Sequence, residues 1–247
     1  MDSYARLTRN DPNPLKRWLQ RRRLDDALRA AEPAEPLCIV DYGGGDGALT
    51  AMAAERWPDA ELICFEPAPQ LAAEARALLA GVEQAEVLGA TAEIADGCAD
   101  LVFCTEVFEH LPEAQTQAAL AEIARILMPG GRVVIGVPVE IGPPALLKGL
   151  FRMVRRPGAF DARPGPVLSA ALGRPPGPRP QAEIAPGLPY FPHHAGFDHR
   201  ALYGAIAARF GLEAVSGSPF SRLPLSLASE VYFTAMKLEA PELPDAA

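Results

Sequence analysis

The segment Asp41-Tyr42-Gly43-Gly44-Gly45-Asp46-Gly47 lies between a short apolar run, residues 37–40, and a helical pattern over residues 48–56. Glycine allows the backbone to turn sharply and lets a ligand approach the main chain without a Cβ in the way. The spacing Gly43-x-Gly45-x-x-Ala48 also matches the pattern that places a pyrophosphate at a helix N-terminus. A strand, a glycine-rich turn and a helix in this order therefore predict a nucleotide-like ligand at the end of the first strand.

Strands and helices continue to alternate along the chain after the helix that follows the glycine loop. Further strands are predicted at 62–65, 86–88, 100–104, 132–137, 212–216 and 230–237. Helical patterns, with apolar residues three and four positions apart, cover 70–79, 113–128 and 200–210. This alternation favours right-handed crossovers and helices on both faces of one sheet. We predict an α/β fold: a doubly wound, mostly parallel, Rossmann-like sheet of seven strands, with the last strand antiparallel.

The composition excludes several classes of protein. The chain has 247 residues, of which 49% are hydrophobic, and its formal charge is −8. This fraction of hydrophobic residues is enough to form a sizeable core. The net negative charge argues against binding nucleic acid through bulk positive charge. The four cysteines have no CxxC spacing, and no apolar run reaches the ~18 residues of a membrane span. We therefore expect a reduced, cytoplasmic protein that does not bind nucleic acid.

Charge and proline content divide the chain into three regions. Residues 1–32 are predicted to contain a basic N-terminal helix that starts at Asn13 and whose apolar face contains Leu15, Trp18, Leu19 and Leu28. Residues 33–140 and 198–238 form the candidate ligand-binding domain. Residues 141–197 are rich in proline and irregular apart from an amphipathic stretch at 145–154, which predicts a mobile lid over the ligand cleft.

Glu66 follows the second predicted strand, nineteen residues after Gly47. A carboxylate at this strand end can accept hydrogen bonds from the hydroxyls of a ribose, so with the glycine loop it predicts an adenosine-like ligand. The other interpretation is a solvated acid at the end of a strand. Dehydrogenases share both features, so the reactive part of the ligand stays open at this point.

Two later segments of the sequence narrow the possible identity of the ligand. The fourth predicted strand runs into Glu106-Val107-Phe108-Glu109-His110-Leu111-Pro112, and the helix after it ends in Leu127-Met128-Pro129-Gly130-Gly131 before a valine-rich strand. Together with the glycine loop and Glu66, these segments resemble the class I S-adenosylmethionine-dependent methyltransferases, in particular the small-molecule group with an E-x-x-E-H-L-P segment. The resemblance covers residues 37–138 and, more loosely, 198–237.

This resemblance implies that the cofactor is S-adenosylmethionine, bound by a catalytic domain of residues 33–140 and 198–238, and that residues 141–197 build the acceptor site. Glu66 would hold the ribose, and Asp41 would orient the loop and the amino group of the cofactor. The other cofactor-binding residues that the resemblance implies are Gly43, Gly45 and Gly47 beneath the methionine part, Thr91, Ala92 and Glu93 at the adenine, and Glu106 and Val107 beside the sulfonium.

His110 is the candidate general base, because it follows the fourth strand on the side where the acceptor enters and because an imidazole titrates near neutrality. The alternative is a histidine at a helix start that is bonded to the backbone. Tyr190, His193 and His194 are candidates for lining the acceptor site. Together with His199 these histidines suggest a metal site, but no carboxylate or cysteine cluster accompanies them in the sequence, so we expect no metal.

We predict methyl transfer from S-adenosylmethionine to the oxygen, nitrogen or carbon of a small molecule. The basic helix and the amphipathic stretch leave open an anionic or lipid-like acceptor and peripheral contact with a membrane; the alternative is two ordinary helices packed on the domain. Two other functions also stay open: a nicotinamide-dependent oxidoreductase, and a non-catalytic protein that binds the nucleoside. The oxidoreductase needs a catalytic lysine, tyrosine or histidine in a second domain, and the chain's lysines, Lys16, Lys148 and Lys237, have no such context.

Overall fold

The computed structural model describes residues 13–32, 34–220 and 224–238. Residues 1–12 of the predicted N-terminal region and Pro33 lie outside the described residues. The helices are α1 Pro14–Ala30, α2 Ala48–Arg56, α3 Pro69–Leu79, α4 Glu113–Ile126, α5 Pro143–Arg155, α6 Pro164–Ala171 and α7 His199–Ala207. The strands are β1 Cys38–Tyr42, β2 Glu61–Phe65, β3 Ala85–Leu88, β4 Ala99–Thr105, β5 Leu127–Pro138, β6 Ala182–Ala185, β7 Leu188–Tyr190, β8 Gly211–Ser218 and β9 Glu230–Met236.

Seven of the described strands form one sheet with the order β3-β2-β1-β4-β5-β9-β8. Strand β1 pairs in parallel with β2 and β4, while β9 runs antiparallel between β5 and β8. The predicted doubly wound, mostly parallel sheet with an antiparallel last strand is confirmed. The strand order reverses between β1 and β4, and in sheets of this kind the ligand crevice lies outside the carboxyl ends of the strands at that point.

Helices cover both faces of the sheet, so the central strands are buried on both sides. Val102 packs with Leu120 of α4 on one face, and its neighbour Phe103 packs with Leu49 of α2 and Leu28 of α1 on the other. Successive residues of a strand point to opposite faces, which is why β4 has an almost continuous apolar sequence.

Helix α1 begins where the sequence predicts, because the Asn13 side chain accepts the backbone N–H of Leu15 at 2.9 Å. The predicted apolar face is wrong in its first half: Leu15 is 62% exposed and Trp18 is 48% exposed, whereas Leu28 is buried. The helix packs on the domain through its C-terminal half, where the Tyr232 hydroxyl donates to the Arg23 carbonyl at 2.8 Å.

The proline-rich insertion contains more regular structure than the sequence predicts. The amphipathic stretch lies within α5, as expected, but α6 and the hairpin β6–β7 follow it. Pro143 and Pro164 stand at the starts of α5 and α6, where the missing N–H of proline costs nothing, so they begin helices rather than interrupt them. Movement of the insertion as a lid stays a prediction.

Strand β5 is longer than predicted. It begins at Leu127 and continues through Pro129-Gly130-Gly131, because the Gly130 N–H donates to the Lys237 carbonyl and the Lys237 N–H donates to the Gly131 carbonyl. None of the helices in the described ranges is long and apolar enough to cross a bilayer.

Candidate functional site

A cleft opens at the carboxyl ends of β1, β2 and β4, beside the point where the strand order reverses. The loops after these strands meet there because parallel strands end at one edge of the sheet. The cleft brings together most of the residues that the sequence singles out: Asp41, Gly43 and Gly45 after β1, Glu66 after β2, Glu106, Val107 and His110 after β4, and Tyr190 from β7.

The glycine loop is held between β2 and Val107. The N–H groups of Gly43 and Gly44 both donate to the Phe65 carbonyl, at 2.8 and 3.0 Å. Gly43 has a φ of +78°, and a Cβ built on it would lie 2.5 Å from Cγ2 of Val107. A side chain at this position is therefore excluded by both the backbone conformation and the close contact, and the main chain itself faces the cleft.

Gly47 does not line the cleft. It has a φ of +79° at the start of α2, and a Cβ there would lie 3.3 Å from Ala75 of α3. Its hydrogen in place of a side chain allows α2 to begin close against α3. Its predicted contact with a cofactor stays a prediction.

Asp41 holds the start of the glycine loop in place. Its carboxylate accepts the Thr50 hydroxyl at 2.7 Å, which ties the end of β1 to α2. Burial raises the pKa of Asp41 to about 6, although the hydrogen bonds from Thr50 act in the opposite direction. The side chain is almost fully buried, so it supports the loop from a fixed position.

Glu66 closes the other side of the glycine loop. Its carboxylate accepts the Gly45 N–H at 3.0 Å and the Ala68 N–H at 2.8 Å. Burial raises the pKa of Glu66 to about 7, and the two hydrogen bonds only partly oppose this increase. The two N–H groups hold the carboxylate in place while each oxygen keeps a lone pair for a hydroxyl donor in the cleft.

Glu106 is the one non-glycine residue with a positive φ, +58°, in the part of the chain that the structure describes. A left-handed backbone costs roughly 1–2 kcal/mol for such a residue, and strain of this kind concentrates at functional sites. Arg23 of α1 lies 3.4 Å from the Glu106 carboxylate and 2.6 Å from that of Glu230.

Glu106 and Glu230 share the charge of Arg23 but differ in the direction of their pKa shifts. Burial favours the neutral form of Glu106, but Arg23 together with His194, Glu230 and Lys148 outweighs it and lowers the pKa of Glu106. Burial raises the pKa of Glu230 to about 8. At neutral pH the negative charge of the pair therefore lies on Glu106, the member that faces the cleft.

His110 is oriented by the insertion. Its Nδ1 lies 2.8 Å from the Phe191 carbonyl oxygen, which can only accept, so Nδ1 carries the proton and Nε2 keeps its lone pair. The ring stacks on Tyr190 with 4.6 Å between centroids and meets His194 edge-on at 4.8 Å. Burial lowers the pKa of His110, so the imidazole is neutral at pH 7.

Glu109 lies directly behind His110 and is fully buried. Neither of its carboxylate oxygens has a hydrogen-bond partner within the described structure, and Oε1 lies 3.8 Å from His110 Nε2. Burial raises the pKa of Glu109 well above its usual range, and the charge of Glu106 adds to the increase. Glu109 belongs to the E-x-x-E-H-L-P segment, but the sequence alone predicts no role for it.

Other predicted residues lie away from the cleft. Thr91, Ala92 and Glu93 form a short turn after β3, in which the Glu93 carboxylate accepts the Ala90 N–H, and their contact with an adenine stays a prediction. His193 pairs with the buried Asp161 at 3.7 Å rather than lining the cleft.

The cleft also contains residues that sequence reasoning missed. Gln20 and Leu24 come from α1, and Ile184 comes from the hairpin β6–β7. They carry no chemical signature, and their placement depends on how α1 and the hairpin pack, which no local pattern in the sequence reveals.

Comparison with known proteins covers the stretch of chain that supplies most of the residues lining this cleft. Residues 40–135 match the family described as "Methyltransferase domain". These residues are similar to a methyltransferase domain and make up less than half of the chain. The predicted resemblance to the class I S-adenosylmethionine-dependent methyltransferases is thereby confirmed.

Curated relatives that match part of the chain are also named methyltransferases. Over 151 residues the chain is 34% identical to a trans-aconitate 2-methyltransferase of Methylobacterium nodulans, covering 60% of this chain and 55% of that protein. A demethylmenaquinone methyltransferase of Thermus thermophilus is 36% identical over 146 residues, 57% of this chain and 60% of that protein. The chain thus spans less than two thirds of the length of either relative.

The fold is shared over a longer stretch. The N-methyltransferase NodS of Bradyrhizobium japonicum, solved with S-adenosyl-L-homocysteine, superposes with a TM-score of 0.58 at 15% identity. The superposition covers 94% of this chain and 91% of NodS, so the shared fold includes regions before and after residues 40–135.

Proposed function

We propose that this chain transfers the methyl group of S-adenosylmethionine to a small-molecule acceptor. The observation that carries the proposal is the placement of the glycine loop, Glu66 and the segment from Glu106 to His110 around one cleft, within the residues that match a methyltransferase domain. The reaction would yield the methylated acceptor and S-adenosylhomocysteine.

The cleft fits such a cofactor on structural grounds. The main chain of Gly43 faces the cleft where a Cβ would clash, and Glu66 presents a fixed carboxylate with acceptor capacity for two ribose hydroxyls. The negative charge of Glu106 suits a cationic sulfonium. S-adenosylmethionine supplies an already activated methyl group, so much of the acceleration comes from holding donor and acceptor in line.

His110 is proposed to act on the acceptor. Its protonated Nδ1 is fixed by the Phe191 carbonyl, and Nε2 is free to take a proton from an acceptor group as the methyl–acceptor bond forms. Tyr190, stacked on the imidazole, lines this end of the cleft, and His194 meets the imidazole edge-on from outside the lining.

Two finer proposals concern the acceptor and the setting. Among the described residues that line the cleft there is no lysine or arginine, which favours a lipid-like acceptor over an anionic one.

Helix α5 exposes Leu147 and Val154, 73% and 83% accessible, so we propose that this face contacts a membrane surface. The cysteines in the described ranges are free thiols, consistent with a reduced, cytoplasmic setting.

Turnover with a methyl-labelled donor tests the proposal. The acceptor panel should contain quinols, fatty acyl compounds and small polycarboxylic acids, with transfer of label detected by mass spectrometry. His110→Ala is expected to abolish most turnover while S-adenosylhomocysteine binds almost normally. Binding of S-adenosylhomocysteine without transfer to any acceptor, including those in a metabolite extract, would instead support a non-catalytic nucleoside-binding protein.

A further inference from the structure

Three potential metal ligands meet at the acceptor end of the cleft. Glu109, His110 and His194 each offer a ligand atom, and these atoms all lie within 4.8 Å of one another. Ligand atoms around one tetrahedral zinc-sized cation lie about 3.3–3.6 Å apart, because each bond measures about 2.0–2.2 Å. Side-chain movements of about one ångström would therefore bring all three onto one cation.

The carboxylate of Glu109 lacks the partners that a buried acid needs. The residue is 0% exposed, and both oxygens are without a hydrogen bond. Leaving a buried polar group unsatisfied costs several kcal/mol in hydrocarbon-like surroundings, and folded proteins rarely do so. The nearby Arg179 does not satisfy it, since its guanidinium donates to the backbone carbonyls of Glu109 and His193.

The hydrogen bonding of His110 is that of a metal-binding histidine. Ligating imidazoles almost always donate their other N–H to a carbonyl or a carboxylate, which fixes the tautomer and the ring orientation. His110 makes this bond through Nδ1 to the Phe191 carbonyl, so the lone pair of Nε2 is directed away from it, toward the side where Glu109 Oε1 lies.

We propose that Glu109, His110 and His194 bind one divalent transition-metal cation beside the cleft. One carboxylate and two imidazoles suit Mn²⁺, Fe²⁺ or Zn²⁺, whereas Mg²⁺ and Ca²⁺ prefer oxygen ligands throughout. Three protein ligands leave coordination positions open, and because His110 lines the cleft, an open position can face it. The sequence pointed away from a metal because no carboxylate or cysteine cluster accompanies His193, His194 and His199; the fold brings His194 to Glu109 and His110.

The role of the cation rests on the proposed function, although its binding does not. A cation at an open position next to the cleft would bind an oxygen of the acceptor and lower the pKa of that group. In the metal-bound state Nε2 of His110 would be a ligand and could not take a proton, so the cation would act as a Lewis acid and the acceptor's proton would leave to water. Catalysis by His110 as a base and catalysis by the cation would then differ in their dependence on Glu109, which does not line the cleft.

Metal binding is measured on the full chain without a polyhistidine tag and without any acceptor. Loss of the electron paramagnetic resonance signal of free Mn²⁺ should report about one site per chain, with Zn²⁺ as a competitor and Mg²⁺ as a weak one. Glu109→Gln and His194→Ala should each weaken Mn²⁺ binding at least about tenfold. His199→Ala, a histidine outside the cluster, is the matched control and should bind as the wild type does.

Each result decides the proposal. Absence of Mn²⁺ and Zn²⁺ binding by the wild type, or equal binding by Glu109→Gln and the wild type, would overturn it. S-adenosylhomocysteine titration and thermal unfolding of each variant show whether the fold is intact. If Glu109→Gln fails to fold, the loss of Mn²⁺ binding is measured on His194→Ala instead. Metal binding without methyl transfer would leave the metal site standing and reject the proposed function instead.

Discussion

At the scale of single residues, Glu66 carries the strongest prediction. Glu66→Ala should weaken the binding of S-adenosylhomocysteine by about 1–3 kcal/mol, because hydrogen bonds to a charged partner are lost. Calorimetric titration measures the change, with the exposed Glu83→Ala as a matched control. An unchanged affinity in Glu66→Ala would remove this carboxylate from the binding site.

The pKa of Glu66 predicts a pH dependence. Because this pKa is raised to about 7, the carboxylate that accepts ribose hydroxyls becomes fully populated only as the pH increases through that value. Affinity for S-adenosylhomocysteine should therefore rise from pH 6.5 to 8.5 and level off, by less than about tenfold per pH unit, the limit for one proton.

The same titration with Glu66→Gln assigns the effect. Its slope should disappear above pH 6.5, while Asp41, with a pKa of about 6, still titrates at lower pH. A slope of equal size in Glu66→Gln would assign the pH dependence to another group.

At the scale of elements, the attachment of α5 depends on one buried acid. Glu140 is 1% exposed and accepts hydrogen bonds from Lys148 and Arg152 of that helix. Removing one partner of a buried ion pair costs about 3–5 kcal/mol, so Glu140→Gln should lower the free energy of unfolding by that amount. The exposed Glu183→Gln, in the same insertion, should change it little in chemical denaturation.

This contribution also has a defined pH range. Burial favours the neutral form of Glu140, but Lys148 and Arg152 outweigh it and hold the pKa at about 2, below the usual 4.5. The stabilisation is complete above about pH 4.5 and is lost as the pH falls toward 2, because the folded state must then take up a proton. The difference between the wild type and Glu140→Gln should therefore shrink on acidification; a constant difference would contradict the ion pair as its source.

Local chemistry made many elements predictable from the sequence. The Asn13 cap, the glycine loop and the apolar strands are fixed by residues within a few positions of one another. The insertion was less predictable, because Pro143 and Pro164 resemble helix breakers until the helices that follow them are seen. The ion pair of Arg23 with Glu106 joins residues 83 positions apart, and no pattern in the sequence connects them.

At the scale of the whole molecule, the exposed face of α5 predicts membrane contact. The wild type should sediment with vesicles of phosphatidylcholine and phosphatidylglycerol, and the double variant Leu147→Ser, Val154→Ser should remain in the supernatant. Leu37→Ser, which replaces a leucine 72% exposed outside this face, is the matched control. Sedimentation of the double variant to the same extent as the wild type would contradict the contact.

The central claim is that the cleft between the loops after β1, β2 and β4 binds the methyl donor. Calorimetric titration of the wild-type chain with S-adenosylhomocysteine, and separately with NAD⁺, tests it most directly. The account predicts saturable binding of S-adenosylhomocysteine at one site per chain and no heat of binding with NAD⁺. Saturable binding of NAD⁺, or no binding of S-adenosylhomocysteine, would contradict it.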